Sequence, residues 1–226
     1  MFKIFITATD TDAGKTFVAT SLVKALTTSG NKVAVYKPIS AGCNIVNNEL
    51  INDDALRLHK VANCGQSIRS INPIAFEEPI APHIAANKKN TVISVDQVLM
   101  HYNNVIKLAA DYTVTEGAGG WRLPLGNGKF LSDFVKRSEQ KVILVVNMKL
   151  GCLNHAVLTY QSIIADGLTC IGWVANCFEG MNYLEENITE LTSLLNTPMI
   201  ARLNKENCIE DAAKKFNVAL LSNTII

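Results

Sequence analysis

The 226-residue sequence predicts an α/β fold in which a mostly parallel β-sheet carries helices on both faces. Apolar runs rich in Val and Ile alternate along the chain with segments of helical spacing, as in successive βαβ units. These runs are almost continuously hydrophobic, which is typical of strands covered on both sides. Open sheets of this kind bind ligands beyond the carboxyl ends of their strands, so functional residues are expected at that edge.

The apolar runs predict six strands, at 3–9, 32–36, 112–115, 141–147, 170–176 and 199–203. The helical segments between them are 15–28, 53–62, 94–109, 154–165 and 183–195. Gly30 and Gly167 stand where two of these helices are expected to end, and Ser94 followed by Gln97 has the pattern of a capping box. Residues 65–89 are irregular and contain three prolines, and long irregular stretches within a domain are often functional.

Composition and charge favour one domain, spanning 1–226, that binds small molecules. The 48% hydrophobic content is sufficient for a large core. The 21 basic residues almost balance the 20 acidic ones, and the net charge of +1 provides no field for holding a nucleic-acid backbone or an anionic membrane. We therefore expect no nucleic-acid and no membrane partner.

The cysteines and the N-terminus indicate a cytoplasmic location. None of the six cysteines forms a CxxC pair, and several stand within apolar runs, as in a reducing compartment. The first apolar run stops at Asp10, which is too short for a secretory signal. No stretch approaches the roughly 20 apolar residues of a membrane span.

The strongest local signal is TDTDAGKT at 9–16, between a predicted strand and a predicted helix. It carries the GKT end of a Walker A motif, although the general pattern has Gly where this chain has Thr9. The turn into the helix supplies main-chain N–H groups and the positive end of the helix dipole for a polyphosphate. The residues expected to contact the nucleotide here are Asp12, Ala13, Gly14, Lys15, Thr16 and Phe17. The fold is thus predicted to be P-loop NTPase-like.

Two residues of this loop have specific expected roles. Lys15 would reach the β- and γ-phosphates of ATP, and the Thr16 hydroxyl would ligate Mg²⁺. The alternative is that Gly14 simply ends a strand and Lys15 is a solvated lysine, but the strand, loop and helix context favours phosphate binding.

Further charged residues stand at predicted strand ends. Lys37 follows the second strand, and a cation at this position would stabilise a transferring phosphoryl group. The alternative is that the Lys37 side chain merely points to solvent. Asp53 and Asp54 open a predicted helix, and helix capping explains at least one of them. Glu116 ends the third strand, where it would bind the same Mg²⁺ as Thr16.

Two loops complete the candidate site. The run GAGG at 117–120 allows close approach of the main chain to a ligand, or is a flexible turn. The segment KLGCLNH at 149–155 precedes a helix whose N-terminus would bind a carboxylate, with Asn154 at the expected N-cap. Capping and ligand binding are equally good explanations of Asn154.

Seven segments, taken together and in order, resemble the dethiobiotin synthetase family. They are TDTDAGKT (9–16), YKPISAG (36–42), NDDAL (52–56), EEPIAPH (77–83), EGAGGW (116–121), KLGCLNH (149–155) and GWVAN (172–176). The resemblance implies an ATP-dependent cyclising ligase that forms the ureido ring of dethiobiotin from 7,8-diaminononanoate and CO₂ in biotin synthesis. It also implies Mg²⁺, a carbamate and a carbamic-phosphoric anhydride as intermediates, and a homodimer with a site shared across its interface.

The resemblance also implies residue roles. Thr16, Asp54 and Glu116 would hold Mg²⁺, while Lys15, Lys37 and Thr11 would be catalytic. The nucleotide would further contact Gly117, Ala118, Gly119, Asn176 and Cys177, with Asn176 at the adenine. The substrate would contact Thr11, Lys37 and Ser40, and its distal carboxylate would reach Gly151, Cys152 and Asn154 of the neighbouring subunit.

The alternatives also belong to P-loop proteins. A nucleotide switch or partition-type ATPase would carry a lysine early in the loop, where this chain has Asp10. An amidotransferase-type synthetase would need a glutaminase domain, for which the chain has no room. The chain also departs from the family pattern at Ala8, at Ser40 in SAG (40–42), and at 201–205, which lacks a proline.

Overall fold

The computed structural model describes residues 1–206 and 208–222. Its strands are β1 (Phe2–Ala8), β2 (Val33–Tyr36), β3 (Ile39–Ser40), β4 (Asn44–Val46), β5 (Glu49–Ile51), β6 (Ile74–Ala75), β7 (Tyr112–Glu116), β8 (Pro124–Gly126), β9 (Lys129–Phe130), β10 (Lys141–Asn147), β11 (Cys170–Asn176) and β12 (Met199–Leu203). Its helices are α1 (Lys15–Thr28), α2 (Asp53–Val61), α3 (Ile68–Ile71), α4 (Pro82–Lys88), α5 (Val95–Ile106), α6 (Leu131–Ser138), α7 (Cys152–Ala165), α8 (Leu184–Leu194), α9 (Ile209–Ala213) and α10 (Ala219–Ser222).

A six-stranded parallel sheet in the order β12-β11-β10-β1-β7-β2 forms the centre of the molecule. Its members are the six strands that the apolar runs predict, so the predicted α/β, P-loop NTPase-like fold is confirmed. Since all six run in one direction, their carboxyl ends lie at one edge of the sheet.

Alternating strand residues face two helical layers. In β1, Ile4 and Ile6 pack with α1, α2 and α9, whereas Phe5 packs with the layer of α5 to α8. In β10, Val145 faces the first layer and Leu144 the second. Both sheet faces are therefore covered, as the unbroken hydrophobicity of the strands predicts.

The predicted helix ends are confirmed at several points. The Ser94 side chain accepts a hydrogen bond from the Gln97 N–H at 3.0 Å and caps α5. Gly30 and Gly167 follow α1 and α7 with φ of 85° and 75°, a left-handed conformation that suits glycine. Within the described residues, no helix has the combined length and hydrophobicity to cross a membrane.

The irregular stretch 65–89 contains three short elements, α3, β6 and α4. Strand β6 pairs with β3, so this stretch packs beside the chain that leaves β2. Phe76 N–H donates to the Ser40 oxygen, and Cys43 N–H donates to the Phe76 oxygen. These pairings hold the segment that follows Lys37.

Candidate functional site

The loop between β1 and α1 stands at the carboxyl edge of the sheet. Gly14 occupies the N-cap position of α1 with φ of 86°, and a Cβ at this position would overlap the side-chain amide of Asn176. Glycine is the residue that both adopts a left-handed conformation readily and has no Cβ to overlap with Asn176. The loop therefore presents main-chain N–H groups and the positive end of α1 to the edge, as an anion site requires.

Lys15 is buried within this loop, where its ammonium donates to the main-chain oxygen of Asp10 at 2.9 Å. Burial, followed by the positive charge of Lys37, lowers the pKa of Lys15 to about 8. A cation destabilised by burial gains from an incoming anion. The position of Lys15 thus suits a phosphate group.

Four predicted site residues meet in what we term the charge cluster: Thr16, Lys37, Asp54 and Glu116. The Lys37 ammonium lies 2.6 Å from Glu116 Oε1 and 2.9 Å from Asp54 Oδ2, and it also donates to the Gly117 oxygen at 3.2 Å. The Thr16 hydroxyl donates to the same Glu116 Oε1 at 2.8 Å. Residues from α1, α2 and the ends of β2 and β7 are thereby joined.

Burial opposes the charged form of every ionisable group in the charge cluster. For Lys37 the two carboxylates outweigh burial and raise its pKa, which keeps the ammonium charged. For Asp54, which is partly exposed, the ammonium outweighs burial and lowers the pKa. Glu116 is fully buried, and burial raises its pKa despite the contact with Lys37.

The charge cluster fits a magnesium ion. Its hydroxyl and carboxylate oxygens are the hard donors that Mg²⁺ prefers. Glu116 Oε2 is buried without a hydrogen-bond partner, which leaves one carboxylate oxygen available. Among residues 1–206 and 208–222, no group of three or more His, Cys, Asp or Glu side chains gathers as a metal site, so phosphate oxygens and water would complete the ligand set.

The glycine loop 117–120 lies against the P-loop. A Cβ at Gly117 would stand 2.8 Å from the Phe5 ring, and one at Gly119 would stand 3.9 Å from Thr11 Oγ1. Thr11 and Asp12 are exposed at the surface, with Asp12 in a left-handed conformation (φ 57°). The two loops are therefore neighbours, and the lack of side chains at these glycines permits this approach.

Asn176 ends β11 beneath the P-loop. Its Nδ2 donates to the Ala13 oxygen at 2.9 Å, while its Oδ1 is buried without a partner. The next residue, Cys177, is buried, and its N–H donates to the Leu203 oxygen at 2.7 Å. The predicted adenine residue thus supports the P-loop through Ala13.

The predicted N-cap of α7 is wrong. Gly151 occupies that position with φ of 92°, and the helix begins at Cys152, so Asn154 lies within the first turn. Its side chain is exposed rather than capping, because the left-handed glycine starts the helix two residues earlier than the pattern suggests. Leu150, just before the helix, is 94% exposed.

Ser40 lies close to the site but its hydroxyl is engaged elsewhere. The Oγ donates to Asn72 Oδ1 at 2.7 Å and lies 3.1 Å from Cys43 Sγ. Asn72 Nδ2 in turn donates to the Lys37 oxygen at 2.8 Å. Ser40 therefore helps to position Lys37 through Asn72, and its contact with the substrate stays a prediction.

Sequence reasoning missed two further positioning residues. Asn52, rather than Asp53 or Asp54, caps α2, since its Oδ1 accepts from the N–H groups of Asp54 and Ala55 at 3.1 and 3.2 Å. The Asp54 carboxylate is thus left for Lys37. An Asn before two acidic residues is itself a cap signal that identifies Asn52.

Asp166, at the end of α7, is the second missed residue. Its Oδ2 accepts from the Trp121 indole N–H at 2.9 Å and pairs with Arg122 at 2.8 Å, while its Oδ1 pairs with Lys136 at 3.3 Å. Trp121 packs edge-on against Phe5. Asp166 thereby anchors the end of the glycine loop, and no local pattern indicates a contact of this sequence separation.

Comparison with known proteins gives related sequences and folds. A family model described as an AAA domain matches residues 3–213. The ATP-dependent dethiobiotin synthetase BioD of Alteromonas mediterranea is 44% identical over 221 residues, covering 93% of this chain and 95% of that protein. The protein of the same name from Tolumonas auensis is 40% identical over 222 residues, covering 96% of this chain and 97% of that protein.

Solved structures of similar fold share little sequence with this chain. The MinC:MinD cell division complex of Aquifex aeolicus matches with a TM-score of 0.59 at 14% identity, covering 99% of this chain and 89% of that one. The cell division protein FtsY of Thermotoga maritima matches with a TM-score of 0.52 at 15% identity, covering 97% and 68%. These likenesses concern the fold alone.

Proposed function

The chain belongs to the dethiobiotin synthetase family, and from this membership we propose that it closes the ureido ring of dethiobiotin at the carboxyl edge of its sheet. The substrates are 7,8-diaminononanoate, CO₂ and ATP, and the products are dethiobiotin, ADP and phosphate. The observation that carries the proposal is the convergence of Lys15, Lys37, Asp54 and Glu116 beside a phosphate-binding loop.

The reaction needs positioned charge rather than a protein nucleophile. One amine of the substrate takes up CO₂ as a carbamate, whose oxygen attacks the γ-phosphorus while the bond to ADP breaks. The second amine then attacks the carbamoyl carbon, and phosphate leaves. Negative charge accumulates on the transferring oxygens throughout, and fixed cations stabilise it.

Two lysines supply that positive charge. Lys15 lies within the P-loop, next to the positions of the β- and γ-phosphates. Lys37 enters from the end of β2, held by the Asn72 bond to its main-chain oxygen and by its N–H bond to the Ile71 oxygen. We assign Lys15 to the ATP phosphates and Lys37 to the carbamate and the transferring phosphoryl group, with Thr11 at the substrate.

Thr16, Asp54 and Glu116 would hold Mg²⁺, which supplies charge neutralisation at the phosphates. The free oxygen of Glu116 and the all-oxygen donor set support this assignment. Asp54 is fixed for the role by the Asn52 cap, which holds the first turn of α2.

Asn176 supports adenine as the base. One N–H of its Nδ2 donates to Ala13, and its Oδ1 is buried without a partner, so the amide oxygen can accept a hydrogen bond from the base. The exocyclic amine of adenine is such a donor. Cys177 and the glycine loop would complete the nucleotide site.

We further propose a homodimer in which the segment 149–154, which includes the start of α7 and is here termed the distal loop, binds the carboxylate of the substrate in the partner's site. The N-terminus of α7 offers main-chain N–H groups for such an anion. Leu150 is 94% exposed in this loop, and an apolar side chain so exposed gains from contact with another surface. A single domain spanning 1–226 in the cytoplasm stays a prediction.

The direct test measures phosphate release from ATP at saturating bicarbonate, with and without 7,8-diaminononanoate, together with dethiobiotin by mass spectrometry. We expect release that depends on the diamine and equals dethiobiotin formed. Lys107→Ala is the matched control for Lys37→Ala, because Lys107 is exposed and bonds to Asn104 outside the charge cluster. Turnover indifferent to the diamine, with no dethiobiotin, would refute the ligase and favour a nucleotide-switch ATPase.

A further inference from the structure

A single ammonium group joins the acidic members of the charge cluster. Lys37 Nζ lies within 2.9 Å of both Asp54 Oδ2 and Glu116 Oε1, and the Thr16 hydroxyl bonds to the same Oε1. All three side chains assigned to Mg²⁺ are thus tied to Lys37, directly or through one shared oxygen. The positive charge of Lys37 stands where these residues would otherwise meet a cation.

We propose that Lys37 substitutes for the divalent cation in the nucleotide-free enzyme and leaves the carboxylates for the phosphates when the nucleotide arrives. The inference rests on the proposed assignment of Thr16, Asp54 and Glu116 to Mg²⁺. It adds that binding of the cation is coupled to binding of the nucleotide, because Lys37 exchanges its carboxylate partners for the phosphates.

The burial of the cluster gives the physical reason for this exchange. Glu116 is fully buried and Lys37 is 3% exposed, so neither charge is compensated by bulk water. A divalent cation that arrives alone must compete with an ammonium already in contact with both carboxylates. A polyphosphate changes this balance, because it offers the ammonium new anionic partners and offers the cation additional oxygen ligands.

The hydrogen bonds of the Lys37 main chain require that any exchange move the side chain alone. Its main chain is held on both sides, by the Ile71 oxygen at its N–H and by Asn72 Nδ2 at its carbonyl. The ammonium is therefore transferred by rotation of the side chain about a fixed backbone. Lys15 does not share this role, because its ammonium bonds to the Asp10 oxygen rather than to a carboxylate.

The exchange predicts a reciprocal coupling between cation and nucleotide. If the nucleotide draws Lys37 away from the carboxylates, it must raise cation affinity, and the cation must raise nucleotide affinity by the same factor. Removal of the Lys37 charge must weaken this coupling, since the cation site is then open without a nucleotide.

The test measures Mn²⁺ binding by electron paramagnetic resonance, with and without a non-hydrolysable ATP analogue. We expect the wild-type chain to bind Mn²⁺ weakly alone and tightly with the analogue. Lys37→Met is expected to bind Mn²⁺ alone at least about tenfold more tightly than the wild-type chain does. Lys107→Met is the matched control, because Lys107 is exposed and bonds to Asn104 outside the charge cluster, and its affinity for Mn²⁺ alone should remain close to wild type.

Several results would overturn the exchange. Equal Mn²⁺ affinity of the wild-type chain with and without the analogue would contradict the exchange. So would an affinity of Lys37→Met for Mn²⁺ alone that is no higher than that of the wild-type chain. If Lys37→Met does not fold, Lys37→Gln retains hydrogen bonding without charge, and Mn²⁺ should raise its melting temperature more than that of the wild type. Equal affinities in the wild-type chain would overturn the exchange even if both variants fail to fold.

The same experiment separates this inference from the proposed function. Absence of Mn²⁺ binding in the wild-type chain even with the analogue would refute the metal assignment itself. Tight binding with the analogue, without any gain in Lys37→Met alone, would leave the metal assignment intact and refute only the role of Lys37 as a substitute cation.

Discussion

The charge cluster and the distal loop lie at the same edge of the sheet but are built in opposite ways. The cluster joins buried and half-buried side chains from four elements of one chain through bonds of 2.6 to 2.9 Å. The distal loop presents exposed Gly151 and Asn154 beside an almost fully exposed Leu150. The difference indicates that phosphate chemistry is organised within one chain, while binding of the far end of the substrate depends on a second surface.

The largest expected effect is the removal of a buried charge from the cluster. Glu116→Ala leaves Lys37 buried with only Asp54 as a carboxylate partner, and we expect it to lower the free energy of unfolding by about 3 kcal/mol. Asn154→Ala, in the distal loop, should change it by less than about 0.5 kcal/mol. Urea denaturation of both variants measures the difference, and equal losses would contradict the contrast between the two regions.

Gly14→Ala should have the next largest effect, because it affects both conformation and packing. The left-handed conformation costs about 1–2 kcal/mol for a residue with a Cβ, and displacement of Asn176 breaks its bond to Ala13 at a further cost of about 1 kcal/mol. Gly167→Ala has the same conformational problem with open space around its Cβ, so it is the matched control.

The contribution of Asn176 can be isolated by combining substitutions. In the double variant Gly14→Ala, Asn176→Ala, the overlap is relieved, so its loss of stability should be smaller than the sum of the two single losses. Additive losses in urea denaturation would show that the contact between the P-loop and β11 carries no energy.

A smaller effect is expected from the pH dependence of nucleotide binding. Burial lowers the pKa of Lys15 to about 8, so above that pH the side chain is largely neutral and must take up a proton as the phosphates bind. Calorimetry in buffers of different ionisation enthalpy should show uptake of up to about one proton at pH 9 and little at pH 6.5 from this group.

The free energy of unfolding should rise with pH in the range where nucleotide binding requires proton uptake by Lys15. Because the folded pKa of Lys15 lies below its ordinary value of 10.5, the unfolded chain holds more protons between about pH 8 and 10.5, and this group makes the folded state more stable as pH rises through that window. Lys15→Arg stays charged, so both dependences should be lost in this variant. Proton uptake unchanged in Lys15→Arg would assign it to another group.

The smallest effect on stability is expected at Leu150. Leu150→Asp changes an exposed side chain, so the unfolding free energy of a single chain should change by less than about 0.5 kcal/mol. If the distal loop completes the partner's site, the variant should nevertheless dissociate in analytical ultracentrifugation and show a raised KM for the diamine, with the KM for ATP less affected. An unchanged dimer and unchanged KM would remove the distal loop from the interface.

The sequence predicts the charge cluster better than it predicts the residues that support it. Strand ends and the order of elements suffice to bring Lys37, Glu116 and the P-loop to one edge, because parallel strands carry their carboxyl ends together. The prediction that Asp53 or Asp54 caps α2 is wrong, because Asn52 takes that position and Asn and Asp have the same local preference for it. The contacts of Ser40 with Asn72 and of Trp121 with Asp166 join residues 32 and 45 positions apart, which no local pattern specifies.

The two tryptophans of the chain occupy very different surroundings. Trp173 lies in the middle of β11 and is fully buried, while Trp121 ends the glycine loop with its indole N–H on a carboxylate. Both indoles are buried, but only that of Trp121 is joined to the glycine loop and bonded to a carboxylate. In a Trp173→Phe variant, we therefore expect the emission of Trp121 to report a shift of that loop without an added dye.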